Sequence, residues 1–182
     1  MTASIEPSES VLPMNLTRSQ GIPGVRVVSR CASLPRHVAE RQLSAAVDIL
    51  ERSDLKVIEG NASEEEASSP GSSILAYHSG SAVSLGADSI GSRGKPAEEV
   101  GSEAAKKFVS AAQSGAVLDD NLADMVLPLL AFAPGPSKVL ITTVTSHLKS
   151  GLELASQFTG CRWSTESKDG AVLVNIEPKA TG

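Results

Sequence analysis

Two residues of this chain have types and positions suited to chemistry. Asp124 lies in the run Asp119-Asp120-Asn121-Leu122-Ala123-Asp124-Met125, and His147 follows in Ser146-His147-Leu148. A neutral imidazole is a nucleophile, and a carboxylate near it can hold a nucleotide or a metal-bound water. His147 is expected at the start of a helix, with Thr145 or Ser146 as N-cap. There the positive end of the helix dipole disfavours imidazolium, which favours a nucleophilic ring. The same end offers amide hydrogens to a phosphate. A lone histidine is not a motif, so these residues alone leave a structural role for His147 open, as they leave a solvent-face role for Asp124.

The elements that must position this pair read as helix, strand, helix and hairpin. Leu122, Met125, Val126, Leu129 and Leu130 form an apolar stripe at helical spacing, with Asp124 on the opposite side. Pro128 interrupts that pattern. It has no amide hydrogen for the Asp124 carbonyl, so a kink is expected there. A strand is expected over Ser137–Thr143, and Gly151, Leu154 and Phe158 continue the His147 side of the next helix. Strands at Arg162–Glu166 and Ala171–Glu177 flank Lys168-Asp169-Gly170, a strong hairpin signal.

Upstream, Val11–Arg18 could form a short strand, and Val25–Cys31 alternates as a strand does. A helix capped by Ser33, with Pro35 in its first turn, then buries Val38, Ala45, Ala46, Ile49 and Leu50. Leu55–Glu59 reads as a strand. The serine- and glutamate-rich run from Gly60 to Gly71 is expected to be a flexible loop. Strands follow at Ser73–Ser79 and Ala82–Ala87. The glycine-rich stretch Gly86 to Lys95 fails as a phosphate loop, because Gly94-Lys95 precedes Pro96 rather than Ser or Thr. It reads as a loop before a helix with Glu98 and Glu99 in its first turn, a stripe of Val100, Ala104, Phe108 and Ala111, and a stop at Gly115. His37 and Glu40 lack a third metal ligand at suitable spacing. His78 is expected to be a strand histidine with a hydrogen-bond partner. The ends, Met1–Ser10 and Pro178–Gly182, are expected to be disordered.

Composition narrows the class. With 182 residues and 41% hydrophobic content a core is possible, whereas a net charge of -5 and the lack of a Lys/Arg run argue against a stand-alone nucleic-acid binder. Cys31 and Cys161 are far apart in the chain and are expected to be buried free thiols. No apolar stretch is long enough to span a membrane, and no signal pattern opens the chain. An intracellular, reduced location is expected, in cytoplasm or, in a eukaryote, nucleus.

The order of several motifs resembles the C-terminal part of RNA 3′-terminal phosphate cyclases. These are Asn121-Leu122-Ala123-Asp124, Pro128, Ala131, Gly135-Pro136-Ser137, Ser146-His147-Leu148 and Gln157-Phe158, with Gly91 through Gly101, Ser114-Gly115 and Leu34 through Arg41 upstream. The resemblance extends from about Leu12 to Glu177. It implies that His147 becomes covalently adenylated and that Asn121, Leu122, Ala123, Asp124 and Met125 line an ATP site. The chain departs from the family's pattern at Leu148-Lys149-Ser150-Gly151, where a polar run is usual, and at Met125, where glutamine is usual.

The architecture expected is α+β in two pieces. A tail and short strand occupy residues 1–23, an inserted α/β unit 24–115, a helix–strand–helix–hairpin module of a repeated main domain 116–177, and a tail 178–182. The resemblance implies ATP-dependent conversion of an RNA 3′-phosphate end to a 2′,3′-cyclic phosphate by a ligase, through a histidine–AMP intermediate. A divalent cation, magnesium by preference, is implied with the ATP, and a separate N-terminal half is an expected partner. The alternative is a noncatalytic cyclase-like scaffold in RNA processing or ribosome assembly.

Overall fold

A computed structural model describes residues 10–80 and 82–179. The expected tails at 1–10 and 178–182 lie mostly outside them. In chain order the elements are β1 (Asn15–Leu16), β2 (Val25–Ala32), α1 (His37–Arg52), β3 (Val57–Glu65), β4 (Gly71–Ser79), β5 (Ser84–Ile90) and α2 (Ala97–Gln113). They continue with α3 (Asp120–Val126), a 3-10 helix (Leu127–Phe132), β6 (Ser137–Ile141), α4 (Ser146–Thr159), β7 (Arg162–Lys168) and β8 (Ala171–Glu177). The fold is α+β.

Two four-stranded sheets form, ordered β3-β2-β4-β5 and β1-β6-β8-β7. In the first, β2 buries Val25, Val27, Ser29 and Cys31 on alternate positions beneath α1, while α2 packs on β4 and β5. The two helices approach closely because Gly101 of α2 has no side chain: a Cβ there would lie 2.1 Å from the Gln42 carbonyl oxygen of α1. Gln42 is buried and accepts from the Ser29 hydroxyl at 2.9 Å. Its amide donates to Ser72 Oγ at 2.8 Å, so the polar group is satisfied between β2 and β4.

The second sheet pairs β8 antiparallel to both β6 and β7, with the hairpin turning at Asp169 (φ 49) and Gly170 (φ 94) as its dipeptide predicts. Val117 and Leu118 join the sheets. Ser84 N donates to the Val117 carbonyl at 2.8 Å and Val117 N donates to the Leu140 carbonyl at 2.9 Å. A single apolar cluster therefore runs from Val25 and Phe108 through Leu118 to Ile141, Leu152 and Ile176.

Several local expectations are corrected. Most of the run read as a loop from Gly60 is strand: β3 continues to Glu65 in parallel register with Val25–Ala32. It is an edge strand with an exposed, charged end, so backbone pairing forms it without core-forming side chains. Ser33 does not cap α1. It has φ 49, its hydroxyl donates to the Ala67 carbonyl at 2.8 Å, and the helix begins at His37. Buried positions of α1 are Ala39, Gln42, Ala46 and Leu50. Strand β5 extends to Ile90, β1 shrinks to two residues, and β6 stops at Ile141. Cys31 and Cys161 are buried free thiols.

Candidate active site

Helix α4 begins with a well-made cap. Thr145 is extended (φ -76, ψ 165), and its Oγ1 accepts from Leu148 N at 2.9 Å. The helix ends at Gly160, whose φ of 72 suits the left-handed stop. His147 is therefore in the first turn, exposed, where the terminal amides have no intrahelical acceptors. The Thr145 hydroxyl also donates to Asp124 Oδ1 at 2.5 Å. One hydroxyl thus ties Asp124 to the first turn of the helix that carries His147.

Asp124 is half-buried, and its carboxylate accepts from Thr145 at the start of α4 rather than standing on a purely solvent-facing side, the alternative left open for it. The reason lies at Pro128. Its ring cannot continue the α-helical ladder, so α3 stops at Val126 and a tighter 3-10 turn takes over. That turn packs on α4 at Gly151, where a Cβ would come within 2.9 Å of Pro128 Cγ. The departure Ser150-Gly151 thus falls at a close helix contact, and α4 is continuous through it.

The stripe expected to be buried on α3 is split. Ala123, Leu127, Leu130 and Ala131 enter the core, whereas Met125 is 72% and Leu129 56% exposed. Phe132, Leu154 and Phe158 are also exposed. Leu154 and Phe158 follow His147 by helical spacing, so an apolar surface adjoins the histidine's side of α4.

Of the five residues assigned to a nucleotide, Asn121 lines a cleft. The cleft is about 650 Å³ and is also bordered by Lys106, Lys107, Ser110, Asp120 and Thr142. Leu122 is half-buried, Ala123 is wholly buried, and Met125 projects into solvent. The Thr142 hydroxyl is buried without a hydrogen-bond partner among the described residues.

Asp119 was missed by the sequence reading and is central here. One carboxylate oxygen caps α3 through Leu122 N at 2.9 Å, and the other accepts from Gly86 N of β5 at 2.8 Å. This buried side chain pins the start of α3 to the first sheet. An aspartate just before a helix was a readable cap signal; its second bond was not. His37 is exposed at the start of α1, and His78 Nδ1 lies 2.8 Å from the Gly24 carbonyl oxygen.

Residues 17–113 match the family model described as the insert domain of RNA 3′-terminal phosphate cyclase. The chain belongs to the RNA 3′-terminal phosphate cyclase family. Curated relatives bearing that name include one from Caldivirga maquilingensis, 35% identical over 96% of this chain and 51% of its own length. One from Methanopyrus kandleri is 33% identical over 97% and 52%. Another, from Methanothermobacter thermautotrophicus, is 39% identical over 92% and 49%. The chain spans about half the length of the curated relatives it matches. No helix among the described residues is long and apolar enough to cross a membrane.

Proposed function

We propose that this chain carries the histidine-bearing part of an ATP-dependent RNA 3′-phosphate cyclase, a ligase. The observation that supports the reading most directly is His147, exposed in the first turn of α4 on a cap held by Asp124. In the first step the neutral ring nitrogen of His147 attacks the α-phosphorus of ATP. A phosphorus–nitrogen bond forms, the bond to the bridging oxygen breaks, and pyrophosphate leaves. An oxygen of the RNA 3′-phosphate then attacks the same phosphorus and displaces His147. Finally the neighbouring 2′-hydroxyl attacks the activated 3′-phosphorus, loses its proton and expels AMP, giving the 2′,3′-cyclic end.

First-turn amides of α4 would receive charge developing on the α-phosphoryl oxygens. Asp124 would act by holding the Thr145 cap, and so the direction of the first turn, as well as by meeting the nucleotide. Among the described residues no group of three or more His, Cys, Asp or Glu side chains could hold a metal. A divalent cation, magnesium by preference, would offset the charge of the reacting phosphates.

A partner belongs to the proposal. The exposed Met125, Leu129, Phe132, Leu154 and Phe158 would be covered by the remainder of a cyclase main domain, supplied by a separate N-terminal half. The noncatalytic scaffold would use the same surface but would not need an exposed His147.

Incubation with α-labelled ATP and magnesium, beside a complementing N-terminal half, should leave label on the chain that is lost in acid and survives mild base. His147→Asn should abolish it, and His37→Ala and His78→Ala should not. Full labelling of the His147 variant would sink the mechanism, and no labelling of the wild-type assembly would leave the scaffold reading.

A further inference from the structure

A second cleft, of about 600 Å³, lies at the opposite end of α2 from the junction between the sheets. Its walls come from the turns after β2, between β3 and β4, and after β5. Leu34, Val38, Pro70 and Pro96 give it an apolar side, and Arg93, Lys95 and Ser72 a polar one.

The polar side is constructed from within the fold. Ser29 donates to Gln42, and Gln42 donates to Ser72 Oγ, so the direction of this relay leaves the Ser72 hydroxyl proton unused. Among the described residues that hydroxyl has no acceptor of its own. Gly91 is required beside it, because a Cβ there would lie 2.2 Å from Ser72 Oγ. Arg41 at the same cleft is neutralised by Glu98, with hydrogen bonds of 2.6 and 2.8 Å, and Lys95 is engaged by Glu103. Arg93 is exposed and, among the described residues, has no carboxylate partner. The cleft therefore offers a spare cation and an oriented donor, beside an apolar wall of a size suited to a small ligand.

We propose that this cleft binds one nucleotide unit, its phosphate on Arg93 and Ser72 and its base against Leu34, Val38, Pro70 and Pro96. The ligand is anionic, because the charged group left without a carboxylate in this cleft is the Arg93 guanidinium and Ser72 adds a hydroxyl donor. It must carry a flat or apolar body, because one wall offers no polar partner. The site is independent of His147. Helix α2 separates it from the Asn121 cleft: Ala97 lines one, and Lys106 and Ser110 line the other, about 13–20 Å further along at the helical rise.

The test measures binding of inorganic phosphate, uridine monophosphate and a labelled short oligouridylate to the full chain. Uridine monophosphate should bind more tightly than phosphate. Arg93→Ala should weaken it about tenfold, the scale of one charge-assisted hydrogen bond. Ser72→Ala should weaken it less, and Lys138→Ala, exposed and outside both clefts, not at all. Oligouridylate that binds with the same Arg93 dependence, with a salt slope lower by about 0.7 in the variant, identifies a single RNA strand as the source. Oligouridylate that binds no better than phosphate, while uridine monophosphate keeps its Arg93 dependence, identifies a free nucleotide. The proposal is overturned if neither nucleotide probe binds, if phosphate binds as tightly as uridine monophosphate, or if Arg93→Ala leaves uridine monophosphate affinity unchanged. The three affinities are measured without ATP or magnesium, so they stand or fall separately from the adenylation reading.

Discussion

The Thr145 hydroxyl donates to Asp124 Oδ1 at 2.5 Å while accepting from Leu148 N at 2.9 Å. A carboxylate on α3 thereby fixes the rotamer of the residue that caps α4. Thr145→Val keeps the shape and removes both bonds. It should cost about 1 kcal/mol, the usual worth of an N-cap, and lower Tm by about 2–4 °C. Asp124→Ala keeps the cap hydroxyl and should cost less. Thermal unfolding measures the order, and α-labelled ATP should show weakened but not abolished labelling in Asp124→Ala. An Asp124 variant equal to wild type in both would show that the link has no consequence.

Gly101 and Gly151 allow a sharper comparison of close contacts. In a helix, alanine for glycine alone gains about 1 kcal/mol. At Gly101 the new methyl would meet the Gln42 backbone at 2.1 Å, so α1 and α2 must separate. Overpacking of that kind costs about 1–3 kcal/mol, and Gly101→Ala should lower Tm. At Gly151 the contact is the edge of the Pro128 ring at 2.9 Å, which can shift more easily than backbone. Gly151→Ala should be the milder change in the same denaturation series. The reverse order would mean that the helices of the first sheet are less tightly held than the Gly101 contact implies.

Acid should weaken the fold partly through Glu103. Lys95 first, then Lys107 and Ser89, hold its carboxyl down at about 2, from an ordinary 4.5. Glu98 is lowered in the same direction by Arg41. Between the folded and unfolded values the unfolded chain binds more protons, so stability rises with pH. The contribution is fully present above the unfolded value and is lost as pH falls toward about 2. The urea midpoint of wild type should therefore drop more steeply across this window than that of Glu103→Gln. Parallel curves would show that the cluster is screened by solvent.

The surface of Met125, Leu129, Phe132, Leu154 and Phe158 should make the isolated chain self-associate and bind a hydrophobic dye. Because these side chains are exposed, Leu129→Lys with Phe158→Lys should restore a monomer, each changing stability by only about 0.5 kcal/mol or less. A complementing N-terminal half should have the same effect on wild type by covering the surface. Sedimentation and dye fluorescence measure both. A wild-type monomer without dye binding would remove the case for a covering partner.

Local chemistry alone determined several elements of this protein. Alternation in Val25–Cys31, the period of Val100, Ala104 and Phe108, Asp169-Gly170 between strands, and Thr145 ahead of His147 each act through near neighbours in the chain. So do α4 and the position of its histidine, and the motif order around them carried the family resemblance. Tertiary structure decided what those neighbours could not. Residues 60–65 form a strand only because β2 offers its backbone edge, whatever their side chains. Asp119 reaches Gly86, and Asp124 reaches Thr145, across turns whose geometry is set by a shared core and by Pro128. Which half of the α3 stripe is buried was likewise set by where α4 lies: helical spacing defines faces, but a face enters the core only where another element covers it.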